Sequence, residues 1–399
     1  MPERNGLRIM LTGATGALGP QLAAELLGSG AVARVDVLVR STPAASAAER
    51  FAHWVASVAS LRASGESAVD TARLFLVEGD VGEAGLGLAP DDRRALSRET
   101  DVVLHAAADT RFRGPAETQW GVNVEGTRHA LEFAAGCPRL AKFVLVSTVC
   151  VAGAATGRVT ETSADEPPAF INYYEQTKWT AERLALNSGL PVQSARVSIV
   201  MGSHATGEVH RMGALHHVLR WYGRGLIPRV PGTAQTTVDL ISTETAARFL
   251  AKAATDPRAE RAIWHVAAGD RATPLGALME LTAEHFGTAR RAPRLPVRAA
   301  VPGSPADPPP GIVDASAFDR IRRAVAGKGD RVMAQLMESI DSFLPGLLYP
   351  RVFDTGRAEA FWGGPLPLEP WQQTLGRVIA FIRAQGRERG FVAEQVGAA

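Results

Sequence analysis

The sequence predicts an α/β protein, a doubly wound parallel sheet carrying a smaller, mainly helical C-terminal substrate lobe. Three observations lead there. Short runs rich in Val, Ile and Leu recur through the first 200 residues and are apolar on both faces, as strands covered by helices on each side must be. Longer segments rich in Ala, Leu and Glu, with helical spacing, lie between them. The repeated order strand, helix, strand builds parallel sheets.

The candidate strands are Leu7–Leu11, Arg34–Val39, Leu74–Val77, Val102–His105, Phe143–Val146 and Val192–Val200. Helical patterns cover Ala17–Leu27, Ala44–Leu61, Ala116–Ala135 and Tyr174–Leu186. From about residue 201 the rhythm loosens, and Gly, Pro and Arg punctuate 220–235 as in a loop-rich lobe. Residues 236–254 read as a strand, a Ser/Thr cap and an amphipathic helix. Residues 262–270 add one more strand, and Thr273-Pro274 reads as a cap with proline at the first helical position. Five prolines and two glycines in 302–311 mark a linker. Beyond it, 312–399 reads as mostly helical, with Trp371, Leu375, Val378, Ile379 and Ile382 on one face of a packing helix that closes the core. The expected division is a nucleotide-binding core over 1–200, a substrate lobe with a late core strand over 201–301, the linker, and a helical region over 312–399.

Composition narrows the class. The 399 residues are 46% hydrophobic, an ordinary globular balance that excludes wholesale disorder. Forty-three basic against 41 acidic side chains leave +2, which gives no electrostatic case for nucleic acid as the main partner. Two cysteines cannot build a disulfide framework and suit a reducing compartment. The segment MPERNGLRIMLTG lacks an apolar run long enough for a signal peptide, so no leader is expected, and no run approaches the roughly 18 apolar residues of a membrane span. A soluble, cytoplasmic protein is expected; its oligomeric state stays open.

LRIMLTGATGALG sets Gly13, Gly16 and Gly19 three apart, directly after a strand and opening a helix. Glycines let the backbone approach a pyrophosphate, and the helix N-terminus offers free N–H donors. A tight turn alone would not account for three glycines in step. Thr15, Ala17 and Leu18 complete this Rossmann-type loop. The second strand ends in Arg40, where an acid would bind a ribose 2′-hydroxyl and an arginine instead fits a 2′-phosphate. With Arg50 as a second cation, the cofactor predicted is NADPH. Asp80, followed by Val81, closes the third strand and would accept a hydrogen bond from the adenine amino group. Ala106, Ala107 and Ala108 are small enough for a flat dinucleotide to lie across the fourth strand's end.

Tyr174 and Lys178 stand at i and i+4 on one helical face. An ammonium beside a phenol favours the phenolate and draws its pKa towards working pH, so the tyrosine can exchange a proton with a carbonyl or hydroxyl oxygen. Thr148, 26 residues earlier at a strand end, would hold the same oxygen.

Taken together, these residues resemble the extended short-chain dehydrogenase/reductases over about residues 7–290. TGATGALG resembles their TGxxGxxG loop, Tyr174-x-x-x-Lys178 their YxxxK and Thr148 their catalytic Ser/Thr, while Asn123 in VNVEGT matches their active-site helix asparagine. VLHAAADTRF, GVNVEGTRHALEFA, FVLVSTVCV, NYYEQTKWTAERLAL and ARVSIVMGS are similar to fatty acyl-CoA reductases and to thioester reductase domains. The segment GLIPRVPGTAQTTVDLIST is similar to the one that shapes the acyl site there; Val197, where many relatives have proline, and residues 302–399 depart from the pattern. The resemblance implies an NADPH-dependent reduction of an acyl thioester to an aldehyde, with an alcohol if a second round follows. Tyr174 would donate the proton, Thr148 orient the carbonyl, Lys178 bind the nicotinamide ribose and lower the pKa of Tyr174, and Asn123 hold a water in the proton relay. The acyl group would arrive on coenzyme A or on a separate acyl carrier protein.

Other readings are weaker. Adjacent His216 and His217 do not share a helical face for a metal, and no metal site is expected. No G-x-S-x-G occurs, so a serine hydrolase is not indicated. His105 reads as a satisfied histidine and Cys150 as a structural thiol. Arg290, Arg291, Arg294 and Arg298 form a basic run read as a solvated surface. The alternatives kept open are a ketone or hydroxyl oxidoreductase, or a nucleotide-sugar epimerase or dehydratase, of the same family; a non-catalytic cofactor sensor need not retain Thr148, Tyr174 and Lys178.

Overall fold

The computed structural model describes residues 6–61, 69–112, 114–162, 166–223, 229–287, 311–326 and 347–388. The alternating half contains β1 (Leu7–Thr12), α1 (Gly19–Gly28), β2 (Val32–Val39), α2 (Ala47–Ala59), β3 (Leu74–Glu78), α3 (Pro90–Glu99) and β4 (Val102–His105). It continues through α4 (Ala116–Trp120), α5 (Gly126–Ala135), β5 (Lys142–Thr148), β6 (Gly157–Val159), α6 (Tyr173–Leu186) and β7 (Val192–Val197). Two-residue strands β8 (Ile199–Val200), β9 (Val230–Pro231), β10 (Thr237–Val238) and β11 (Leu240–Ile241) follow, with α7 (Ala214–Gly223) among them. After α8 (Thr243–Thr255), the strand β12 (Ala262–Val266) completes a seven-stranded sheet in the order β12-β7-β5-β4-β1-β2-β3. Every pair in it is parallel. The chain leaves β1 towards β2 and β3, then returns to the other side at β4. The crevice between the C-terminal ends of β1 and β4 is therefore the switch point where such sheets bind ligands.

Both faces of the sheet are covered, which explains the doubly apolar strand sequences. In β1, Ile9 and Leu11 pack with Leu22, Leu26, Trp54 and Phe249 on one side. Met10 points the other way, to Phe133, Ala134, Phe143 and Leu145. Each such side chain contributes about 1.5–3 kcal/mol on burial, so both layers stabilise every central strand.

Three predicted elements differ in detail. The helix over Ala116–Ala135 is interrupted by a π turn at Gly121–Glu125. The strand over Val192–Val200 stops at Val197, because Ser198 bonds Val266 O through its N–H and Asp239 O through its hydroxyl, turning β8 away to pair with β11. Thr273 and Pro274 do not cap and open a helix. They form β13, antiparallel to β10, and α9 (Leu275–Phe286) begins only after Pro274, whose backbone is extended.

The C-terminal stretch adds β14 (Ile312–Val313), α10 (Ala315–Ala326), β15 (Arg351–Phe353), α11 (Gly356–Trp362) and α12 (Trp371–Glu388). β14 pairs with β9 and β15 with β6. In α12, Leu375 and Ile379 enter the lobe core with Leu215, Leu219, Leu278 and Phe318, while Val378 and Ile382 close over Val209. Phe361 of α11 lies on Trp264 of the main sheet, ring centroids 4.4 Å apart. This stretch thus seals both the lobe and the sheet's β12 edge. Among the described residues no helix is long and apolar enough to cross a membrane. The arginine run at 290–298 and nearly all of the proline-rich linker lie outside the described residues.

Candidate active site

The glycine loop is shaped by steric need. Gly13 has φ +75°, and a Cβ there would come within 2.4 Å of the Ala106–Ala107 backbone. Gly19 packs so closely that a Cβ would lie 1.5 Å from Ala14 O. The turns Gly16 N–H to Gly13 O (3.0 Å) and Gly19 N–H to Gly16 O (3.2 Å) lead into α1, whose N-terminus no side chain caps. Thr15 and Ala17 are exposed and Gly16 and Leu18 half-buried along its open side. A close backbone cradle ending at an uncapped helix start fits a dinucleotide pyrophosphate.

The ends of β1 and β4 are pinned together. Ala107 N–H donates to Thr12 Oγ1 at 3.3 Å, and Thr12 Oγ1 lies 2.8 Å from His105 Nδ1. Thr127 donates its hydroxyl proton to Asn123 O, so it accepts from His105 Nε2 at 3.2 Å. His105 is therefore the Nε2–H tautomer, and burial pulls it down to about 3, which keeps it neutral. Ala106, Ala107 and Ala108 stay half-buried beside the loop.

Two guanidinium groups stand on the other side of the loop. Arg50 donates from Nη2 to Thr15 Oγ1 at 3.2 Å and from Nη1 to Arg40 O, while Arg40 Nη1 meets Asp80 Oδ2 at 3.3 Å. Burial, and then the charge of Arg40, lower the pKa of Arg50, the signature of two cations held close together. Asp80 also accepts from Gly82 N–H at 2.9 Å, and Val81 O accepts from His129 Nδ1 at 2.8 Å.

Across the crevice, Thr148 ends β5, and its Oγ1 accepts from Cys150 N–H at 3.2 Å. Tyr174 opens α6, capped by Asn172, which accepts from Glu175 N–H at 3.0 Å. Tyr174 is 7% exposed, with the ring of Phe112 edge-on at 5.4 Å. Lys178, 4% exposed, donates from Nζ to Val146 O at 2.9 Å, and burial pulls it down to about 8. Asn123 sits in the π turn. Its Oδ1 accepts from Asp109 N–H (2.7 Å), and its Nδ2 donates to Asp109 O (3.1 Å) and Thr177 Oγ1 (2.9 Å). A phenol, a hydroxyl and an ammonium thus line the same crevice as the glycine loop.

The family profile described as Male sterility protein, an NAD-binding family, matches residues 11–250. This chain belongs to the Male sterility protein family. It stands among the extended short-chain dehydrogenase/reductases near their thioester reductase branch, and its family is one that binds a nicotinamide cofactor. It is 35% identical to "Isonitrile lipopeptide synthase" of Streptomyces coeruleorubidus over 218 residues, 53% of this chain and 14% of that protein. It is 26% identical to "Fatty acyl-CoA reductase 2, chloroplastic" of Arabidopsis thaliana over 163 residues, 39% of this chain and 26% of that one. The chain thus spans less than a third of either relative. The crystal structure of "the terminal R domain from the myxalamid PKS-NRPS biosynthetic pathway" has the same fold, with TM-score 0.75 at 22% identity, covering 96% of this chain and 92% of that one.

For this Male sterility family member, the structure corrects one expectation and narrows another. The pKa of Tyr174 is not drawn down: burial, then Cys150, push the phenol well above its ordinary value against the opposing Thr148 hydroxyl, and the Lys178 ammonium is engaged by Val146 O. Both Nδ2 protons of Asn123 are committed to protein acceptors, so a relay water would have to donate to its Oδ1 or main-chain oxygen. Asn123 acts as a clamp joining the β4 loop to α6.

Other expectations stand beside observed geometry. His216 is satisfied by Gly213 N–H (2.9 Å) and Met201 O (2.8 Å). Burial raises the pKa of Cys150, as for an unreactive thiol. No group of three metal-ligating side chains occurs among the described residues. Sequence reasoning missed the forked pair of Asp109 and Arg111, closest at 2.6 Å, and Phe112 beside Tyr174. Their signal was an acid and a base two residues apart in the loop that follows an alanine-lined strand end.

Proposed function

We propose that this protein is an NADPH-dependent reductase of an acyl thioester, releasing an aldehyde and a free thiol. The observation that carries it is the convergence of Thr148, Tyr174 and Lys178 on the crevice that also holds the glycine loop and Ala106–Ala108. The family supplies the reaction class, and the reductase relatives support the thioester.

Gly13–Gly19 would hold the pyrophosphate, Arg40 and Arg50 the 2′-phosphate, and Lys178 the nicotinamide ribose. When bound, the reduced cofactor supplies hydride. Tyr174 is kept protonated by its burial, the state a proton donor needs. It gives that proton to the substrate carbonyl oxygen, and Thr148 holds the oxygen in place. As the C–S bond of the resulting hemithioacetal breaks, its hydroxyl proton returns to the Tyr174 phenolate and the oxygen's electron pair closes the aldehyde C=O. The departing thiolate takes a proton from water to leave as the thiol. The Arg40–Asp80 contact is largely exposed, so a phosphate can compete for Arg40 at small cost.

The test is NADPH consumption by purified protein with acyl-CoA and acyl-carrier thioesters, with products trapped as hydrazones. One aldehyde and one thiol per NADPH are expected. Two NADPH per alcohol would extend the account to a second round. Binding of NADPH with silence on every thioester would reject the substrate class and favour a ketone or aldehyde.

A further inference from the structure

Glu182 extends the stripe of Tyr174 and Lys178 by one more turn of α6. Lys178 reaches β5, at Val146 O. Glu182 reaches β7, where it accepts from Ser194 Oγ (2.8 Å) and, in a fork, from Arg196 Nη2 (2.6 Å) and Nε (3.1 Å). β5 and β7 are neighbours in register, Val146 opposite Ala195 and Ser147 opposite Arg196. The helix is thus docked on two strands, at two heights, by two buried polar side chains. A buried Glu–Arg pair, side chains 2% and 6% exposed, is weak as a source of stability, because apolar residues of the same volume serve as well. The pair is also backed from a third strand. His265 of β12 donates from Nδ1 to Asp354 O (2.8 Å), which leaves Nε2 as an acceptor 3.4 Å from Arg196 Nη1.

We propose that Glu182, held by Arg196, is a positioning residue: it fixes α6 over the sheet and supplies the negative charge that keeps Lys178 an ammonium. This rests on the reading of Tyr174 and Lys178 as the reacting pair. The other groups near Lys178 are Tyr174 on its own helix and neutral His105 from β4; Arg196 from β7 shares the Glu182 carboxylate and so reduces its pull on Lys178 without cancelling it. Burial lowers Lys178, and Glu182 is the group that opposes it.

The chain has only four lysines, at 142, 178, 252 and 328, so apo protein labelled with 13C at lysine Cε gives a short, assignable spectrum. Lys178→Arg identifies its signal. In Glu182→Gln the Lys178 titration is expected to fall by about one pH unit. The double variant Glu182→Gln with Arg196→Gln avoids a stranded buried cation and should show a smaller fall in the same direction. The alkaline limb of kcat should move with the titration, with KM for the thioester nearly unchanged. A folded variant whose Lys178 titrates as in the wild type, losing only Tm, overturns the proposal. A shifted titration in a protein that reduces no thioester would instead keep this assignment and reject the function above.

Discussion

The nucleotide side and the catalytic side of the crevice are assembled in opposite ways. Gly13, Gly16 and Gly19 stand in one contiguous turn between β1 and α1, and of their closest contacts only that of Gly13 with Ala106–Ala107 comes from outside it. Thr148, by contrast, lies in a turn held from far along the chain. Arg351 donates to Gly153 O across 198 residues, and Phe353 packs on Val149 and Ala267. Glu161, just after β6, accepts from His265 N–H (2.7 Å) and Ala358 N–H (3.1 Å), tying the same region to α11. A cofactor cradle can therefore be carried by a local motif, whereas the proton-transfer geometry needs the tertiary closure supplied by residues 351–362.

The largest test of that contrast is to end the chain at residue 346. The cut uncovers Trp264, Leu215 and Leu219 and removes Leu375 and Ile379, each worth about 2–5 kcal/mol when deleted from a core, so no stable soluble protein is expected in expression and thermal-melt assays. A soluble, active truncation would show the closure to be dispensable.

A smaller effect is expected on the local side. Arg40→Ala should lower the preference for NADPH over NADH by roughly ten- to a hundredfold, the worth of one charge-assisted hydrogen bond of about 1.5–3 kcal/mol, with NADH turnover little changed. An unchanged ratio in steady-state kinetics would remove the 2′-phosphate assignment.

A third effect is a pH dependence of the fold as a whole. Burial holds His105 down to about 3, and His217 and His265 to about 4. Between those values and the ordinary histidine pKa the unfolded chain binds protons that the native protein does not. Stability should therefore fall as pH drops through about 6.5 towards 4. Denaturant midpoints at pH 7.5, 6 and 5 measure it; a flat profile would mean these imidazoles are charged in the fold.

The same contrast decides what could be read in advance. Strand order and the glycine loop were legible because Ile9, Met10 and Leu11 serve opposite layers and the three glycines share one short segment, although Gly13 is also forced by the distant Ala106–Ala107 backbone. Tyr174 and Lys178 were legible as a pair through their spacing. The environment of that pair was not, because Val146 O, Phe112 and Cys150 reach it through the fold and reverse the expected direction of the Tyr174 pKa. The π turn that aims Asn123 at Asp109 starts at Gly121 and runs into Gly126, but a glycine inside a helical pattern does not by itself tell a π turn from an ordinary helix. The dual service of α11 and α12 was hidden too, since one apolar stripe reads alike whichever core it enters.

The central claim is that Tyr174 protonates the carbonyl oxygen of a thioester in a cofactor site that stands without it. The most direct measurement is thioester-dependent NADPH oxidation by Tyr174→Phe beside the wild type, with NADPH affinity measured by fluorescence on both. The account predicts unchanged affinity and a kcat lower by about 10²–10⁴-fold. Turnover within a few-fold of the wild type would contradict it.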